Sequence, residues 1–125
     1  MNATDKAHLE RIKQHCIVCK LQGVEMIAEA HHIHKGKRIG HWAAIGLCYN
    51  HHRGFDSIHR RKNWFRSQFG HEWTLWLLTR RLIPWPPSYD AKVEAYLKGK
   101  SPDPVLVALM KKTHEKGCKF STEDL

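Results

Sequence analysis

"EAHHIHKGKRIGH" (Glu29–His41) and "LCYNHH" (Leu47–His52) each carry a histidine doublet, and the way these doublets sit among the cysteines decides the fold. The first stretch holds four histidines in thirteen residues. On an extended strand successive side chains face opposite ways, so His32 and His34 share one side and His31 takes the other. Adjacent imidazoles can therefore serve different centres. Taken singly, each is an ordinary surface or hydrogen-bonded histidine. The second doublet, His51-His52, begins three residues after Cys48 and changes that reading: one member can close a metal staple while its neighbour faces elsewhere.

Cys16-x-x-Cys19 and, twenty-nine residues after Cys19, Cys48-x-x-His51 form two knuckles of the kind that closes a tetrahedral zinc site. Zinc suits thiolate and imidazole donors, and two close pairs supply four of them at little extra loop-closure cost. The spacing predicts a structural zinc on Cys16, Cys19, Cys48 and His51. It would staple the N-terminal knuckle to a helix beginning near Cys48, which helps a small core. His15 and Cys118 are alternative ligands, although Cys118 reads better as an unpaired thiol.

The 125 residues suffice for one compact domain with an appendage. Of the net charge of +9, residues 1–83 hold 14 Lys and Arg against 6 Asp and Glu, while residues 84–125 hold 7 against 6. Such a basic portion favours a polyanionic partner, although charge alone fits an ordinary soluble surface equally well. No run of 18 apolar residues occurs, and "MNATDKAHLERIK" has charges where a signal peptide needs an apolar core, so a cytoplasmic location is expected, and no membrane partner. A reducing compartment also turns the cysteines toward metal rather than disulfides.

"TDKAHLERIKQH", with cap-type Thr4 and Asp5, predicts a helix running up to Cys16. "VEMIAEAHHI" reads as a strand, "HKGK" as a turn, "RIGHWAAIGL" as irregular chain or a second strand, and "CYNHHRGFDSIH" as a short helix loosened at Gly54. "RRKNWFRSQFG" and "HEWTLWLLTRRLI" predict helices stopped by Gly70 and by "PWPP", with Trp73 and Trp76 in the core rather than in a base-stacking platform. The proline-rich connector places a boundary near residue 84, dividing the chain into 1–83 and a helical extension over 84–125 that ends in a mobile "KFSTEDL".

The ordered set now resembles an HNH, or ββα-metal, nuclease: a CxxC knuckle, a strand ending in "EAHHI", a loop, then a helix opening "LCxxHH". More narrowly, "HCIVCKLQG", "AEAHHIHKGKRIGH", "IGLCYNHHRG", "SIHRRKNWFRSQFG" and "EWTLWLL" resemble the phage recombination-enhancement (Ref) nucleases, the RecA-dependent family, over residues 4 to about 83. The resemblance implies an α+β fold: a small ββα-metal core stapled by a structural zinc, with flanking helices. It implies that His31 and His52 bind a catalytic divalent cation and that His32 is the general base. It places His51 on the structural zinc, as the spacing does independently, and makes His59 a third ligand or a phosphate contact. The asparagine of the HNH pattern falls near Ala43, which has no polar side chain; His41 matches a histidine the narrower family carries and takes the orienting role instead.

These groups suit hydrolysis of DNA phosphodiester bonds, and the HNH resemblance implies a 5′ phosphate and a 3′ hydroxyl as products. Imidazole ligands favour manganese, nickel or zinc, and magnesium would need oxygen donors from phosphate, water or Asp56. Lys35, Lys37, Arg38, Arg53, Arg60, Arg61, Lys62 and Arg66 surround the doublets and suit phosphate positioning, which gives affinity without sequence reading. The family implies that a RecA filament directs cutting, in the bacterial host cytoplasm if the chain is phage-encoded. Two rival readings remain: a zinc-stapled DNA-binding or recombination accessory protein without cleavage, favoured by Ala43 and by the absence of an evident carboxylate at the metal site, and a protein-interaction module built on the helices after "PWPP".

Overall fold

The computed structural model of the chain describes residues 1–35 and 37–115. Cys118 and "KFSTEDL" lie outside the described residues. In chain order the elements are α1 (Ala3–Ile12), α2 (Ile17–Leu21), β1 (Glu29–His32), β2 (His34–Lys35), β3 (Lys37–Arg38), β4 (Ala44–Leu47), α3 (Tyr49–His52), α4 (Lys62–Phe69), α5 (Glu72–Leu82), α6 (Tyr89–Leu97) and α7 (Pro104–Glu115). This is a small α+β fold. Its central unit is the antiparallel pair β1–β4, registered Glu29 to Leu47, Ala30 to Gly46, His31 to Ile45 and His32 to Ala44. A second short ribbon pairs β2 with β3.

The strand expected over "VEMIAEAHHI" shortens to its last four residues before Ile33 for a hydrogen-bonding reason. The Cys16 N–H donates to the Met26 carbonyl at 2.8 Å and the Ala28 N–H to the Lys13 carbonyl at 2.7 Å, so this segment is tied to the end of α1 and not to a partner strand. Ile33 then turns into the core, its N–H donating to the Ala43 carbonyl at 2.8 Å, and the ribbon restarts at His34. α1 is capped by Asn2, whose side chain accepts from the Asp5 N–H at 2.8 Å, and it ends at Ile12 rather than reaching Cys16. α3 stops after one turn because the chain bends tightly at Gly54, where a Cβ would lie 2.7 Å from the Asn50 Cα.

β4 is buried on both faces, and α5 closes over it. Trp73 and Trp76 are fully buried, with the Trp76 Nε1–H donating to the Trp42 carbonyl at 2.8 Å. Phe65 of α4 and Ile33 complete the layer near the histidines. The residues after "PWPP" share this core: Tyr89, Val93 and Leu106 are buried in it. His8 of α1 meets Trp85 and Tyr89 edge-on, with centroids 5.5 and 5.0 Å apart, and burial pushes its imidazole down to about 4. It packs as a neutral wedge between helix and connector. No helix among the described residues is long and apolar enough to cross a membrane.

One glycine allows α1 to lie against the sheet. A Cβ on Gly46 would sit 2.1 Å from the His15 carbonyl oxygen and 2.5 Å from that of Ile12, both backbone atoms that cannot rotate away. The contact holds the segment leading into Cys16 beside the strand leading into Cys48. Gly46→Ala is therefore expected to destabilise the protein by about 3 kcal/mol, the upper end of overpacking costs. Thermal or urea unfolding measures it, and a change below about 0.5 kcal/mol would show that the approach is loose.

Candidate metal centres and the basic cleft

The two knuckles meet. Cys16 starts α2 as its N-cap, its Sγ accepting from the Cys19 N–H at 3.5 Å, and Cys48 occupies the same position on α3. His51 lies one turn on, with Nδ1 at 3.2 Å from Cys48 Sγ, 3.6 Å from Cys16 Sγ and 3.7 Å from Cys19 Sγ. The Cys19 and Cys48 sulfurs are 3.9 Å apart. A tetrahedral zinc with ordinary bond lengths needs sulfur pairs about 3.8 Å apart and sulfur–nitrogen pairs about 3.6 Å apart. The four residues are buried and could hold a structural metal ion. Burial pushes the Cys16 thiol up, and burial with the bond to Cys16 pushes Cys19 up to about 12. His15 stands apart, bonded to Glu25 at 3.1 Å, and takes no place in the cluster.

Successive helical residues are rotated by about 100°, so His52 leaves α3 in a different direction from His51. It joins His31 of β1 and His59 of the loop after α3 in a second cluster that could hold a metal ion. Ring centroids are 5.2 Å apart for His31–His52, 5.2 Å for His31–His59 and 4.8 Å for His52–His59. His31 and His52 are buried and His59 is exposed, so the cluster opens outward.

Each buried imidazole is tied to a carboxylate. His31 Nε2 lies 2.8 Å from Glu72 Oε2, and the other oxygen of Glu72 accepts from Arg66 at 2.9 Å. His52 Nδ1 lies 2.8 Å from Glu29 Oε1, which Arg53 also approaches at 3.1 Å. In the neutral tautomer whose ring N–H donates to the carboxylate, His31 would present its lone pair on Nδ1 and His52 on Nε2. Burial opposes ionisation of Glu72, yet the bonds to His31 and Arg66 outweigh it and hold the carboxyl at about 2. His52 first, then the Arg53 charge, holds Glu29 below the ordinary carboxylate range against partial desolvation.

On the opposite face of β1, His32 Nε2 lies 3.1 Å from His41 Nδ1. Burial, then the charges of Arg38 and His41, pushes the His32 imidazole down to about 4, so it is neutral near pH 7. His31, His32, His34, His52 and His59 line one cleft of about 420 Å³, with Arg38, Lys62 and Arg66. His71 also lines it. Its Nδ1 accepts from the Trp73 N–H at 3.1 Å to cap α5, which leaves Nε2–H as a donor in the neutral ring.

The other basic positions divide. Lys37 and Arg38 are exposed on β3, opposite the backbone of Lys35 and His34. Arg53 and Arg66 are engaged by the two carboxylates, and Arg61 pairs with Asp56 at 3.4 Å, which takes Asp56 into an ion pair. Arg60 lies over the Phe55 ring.

Glu29 and Glu72 are the carboxylates beside the doublets that the sequence alone does not mark as partners. Glu29 stands two residues before His31 and so shares its strand face. Glu72 lies on the apolar face of α5, one turn before Leu75 and Trp76, where a charged residue is unexpected. Both signals were present, but neither names the partner.

A small α+β protein with a thiol-rich cluster able to hold a metal, beside a histidine cluster open to a basic cleft, defines a class: a protein with two candidate metal centres, one of them opening onto a cleft lined by cations. The family can be named. The sequence model of the family described as "Recombination enhancement, RecA-dependent nuclease" matches residues 2–77, and the chain belongs to that family. No curated protein and no solved structure matched the chain.

Metal analysis of the purified protein should find about one tightly held zinc per chain, and Cys16→Ser should lose that zinc together with most of the thermal stability. A Cys16→Ser protein that melts like the parent would remove the staple.

Proposed function

We propose that the chain is a metal-dependent HNH-type endonuclease that hydrolyses DNA phosphodiester bonds. The observation that carries this reading is the convergence of His31, His52 and His59, two of them oriented by carboxylates, on a cleft that also holds His32 and three cations. A cation on these imidazoles would polarise a phosphate oxygen and stabilise charge on the leaving oxygen. An all-nitrogen protein set favours manganese, nickel or zinc over magnesium unless oxygens complete the shell.

His32 is the proposed base. To accept a proton from water through Nδ1, it must carry hydrogen on Nε2 and donate it to His41 Nδ1, which fixes the tautomer of both rings. His41 thus does what an asparagine would do at the position of Ala43, which is wholly buried. Arg38, Lys62 and Arg66 would hold the flanking phosphates, with Lys35, Lys37, Arg53, Arg60 and Arg61 extending the basic surface. Residues 1–83 would form the nuclease-like part, with 84–125 as its extension. Direction of cutting by a RecA filament rests on the family's description. The accessory-protein reading keeps one support, the apolar Ala43.

Glu72→Gln is expected to weaken manganese binding about 10–100-fold, the usual cost of losing a carboxylate behind a ligand histidine, with zinc content unchanged. Titration followed by electron paramagnetic resonance reads this directly, and unaltered affinity would dissociate Glu72 from the metal.

Plasmid nicking with manganese or magnesium, with and without RecA, tests the base. His32→Ala should lower the rate at least about 100-fold while zinc content and manganese affinity persist. Cleavage that survives the substitution would sink the assignment. DNA binding by the parent with no cleavage under any metal would favour the accessory reading.

A further inference from the structure

We propose that Phe55, in the loop joining α3 to α4, is a stacking platform for an unpaired nucleobase of the strand held in the cleft; the inference rests on the DNA-cleaving reading and adds a substrate class to it. Phe55 is 64% exposed. A single exposed apolar side chain means nothing by itself. The surroundings of this one differ. The Arg61 guanidinium lies 5.0 Å from the Phe55 centroid and 4.2 Å from that of Trp64, and Arg60 lies 5.9 Å from Phe55. Asp56 holds Arg61 at 3.4 Å. An aromatic ring held among guanidiniums suits a ligand that is both anionic and π-faced, which describes a nucleotide.

The loop also fixes where the platform stands. Ser57 and Ile58 are buried, the Ile58 N–H donates to the His51 carbonyl at 3.0 Å, and the Arg60 N–H donates to Ser57 Oγ at 3.0 Å. The loop is therefore anchored at its base while Phe55 projects. Its ends return to one point, because the His52 and His59 rings are 4.8 Å apart. Phe55 is three residues from His52, so its Cα lies within about 11 Å of the His52 Cα. That span is short enough for a few nucleotides of one strand to reach from the histidine cluster to the ring. In a duplex the faces of a base are covered by its neighbours, so a ring offered this way suits an unpaired base.

The test uses full-length protein in a His32→Ala background, to prevent cleavage, with a labelled oligonucleotide offered as a single strand and as its duplex, and anisotropy as the readout. Phe55→Ala is expected to weaken single-strand binding about tenfold and duplex binding less than about twofold, in keeping with the cost of losing one base–aromatic stack. Phe55→Leu, apolar without a π-face, should match Phe55→Ala, and Phe55→Trp should bind at least as tightly as Phe55. Equal losses on both DNAs, no loss on either, or full affinity in Phe55→Leu would overturn the platform and leave the nuclease reading standing. A parent that binds neither DNA would overturn the DNA reading and the platform with it.

Discussion

The antiparallel pairing of β1 with β4 is the constraint on which the rest depends. Its register sets Glu29 and His31 on one face of the ribbon and His32 on the other, and a slip of one residue would exchange them. β4 runs straight into Cys48 and α3, so the pairing also fixes where His51 and His52 emerge. The two candidate metal clusters, one thiol-rich and one of imidazoles, thereby draw on both doublets, with His32 left outside either. One doublet is split by the alternation of a strand, the other by the rotation of a helix.

That pairing is short, four residues on each strand, and a two-stranded ribbon is marginal alone. It is backed by α1 through the close approach at Gly46 and covered by α5 with its buried tryptophans. The cysteine cluster draws the two ends of this arrangement together, α2 on one side and α3 on the other. A zinc in such a set contributes about 10–16 kcal/mol of apparent binding energy near neutral pH, comparable with the whole stability of a small domain. With zinc in the cluster, metal binding and folding would be one equilibrium for residues 16–51.

The cysteine cluster was legible in the sequence because its signal is local: two close pairs with a fixed spacing identify their own members. The helices were legible from apolar periodicity and from Gly70 and the prolines. The segment before Glu29 was not, because its backbone bonds go to the end of α1, a tertiary choice that composition does not encode. The role of Glu72 was hidden for a similar reason: it stands 41 residues from His31, and only packing of α5 over the sheet brings them together. His41 was within reach from the resemblance, whereas its 3.1 Å contact with His32 depends on the loop between β3 and β4.

Charge around the cleft cannot be read from a count of lysines and arginines. Arg66 is turned toward Glu72, Arg53 toward Glu29 and Arg61 toward Asp56, so part of the positive charge is spent orienting carboxylates and aromatic rings. Those carboxylates in turn direct the imidazoles. An arginine such as Arg66 therefore has two candidate roles, phosphate contact and support for the ligand set, and removing it would disturb both. Arg38 and Lys62 line the same cleft from other elements, and on the proposed reading they are the positions at which substrate affinity would separate from ligand geometry. On the proposed reading, a basic surface assembled in this way would hold the candidate ligands in one tautomer while still presenting cations to a phosphate chain.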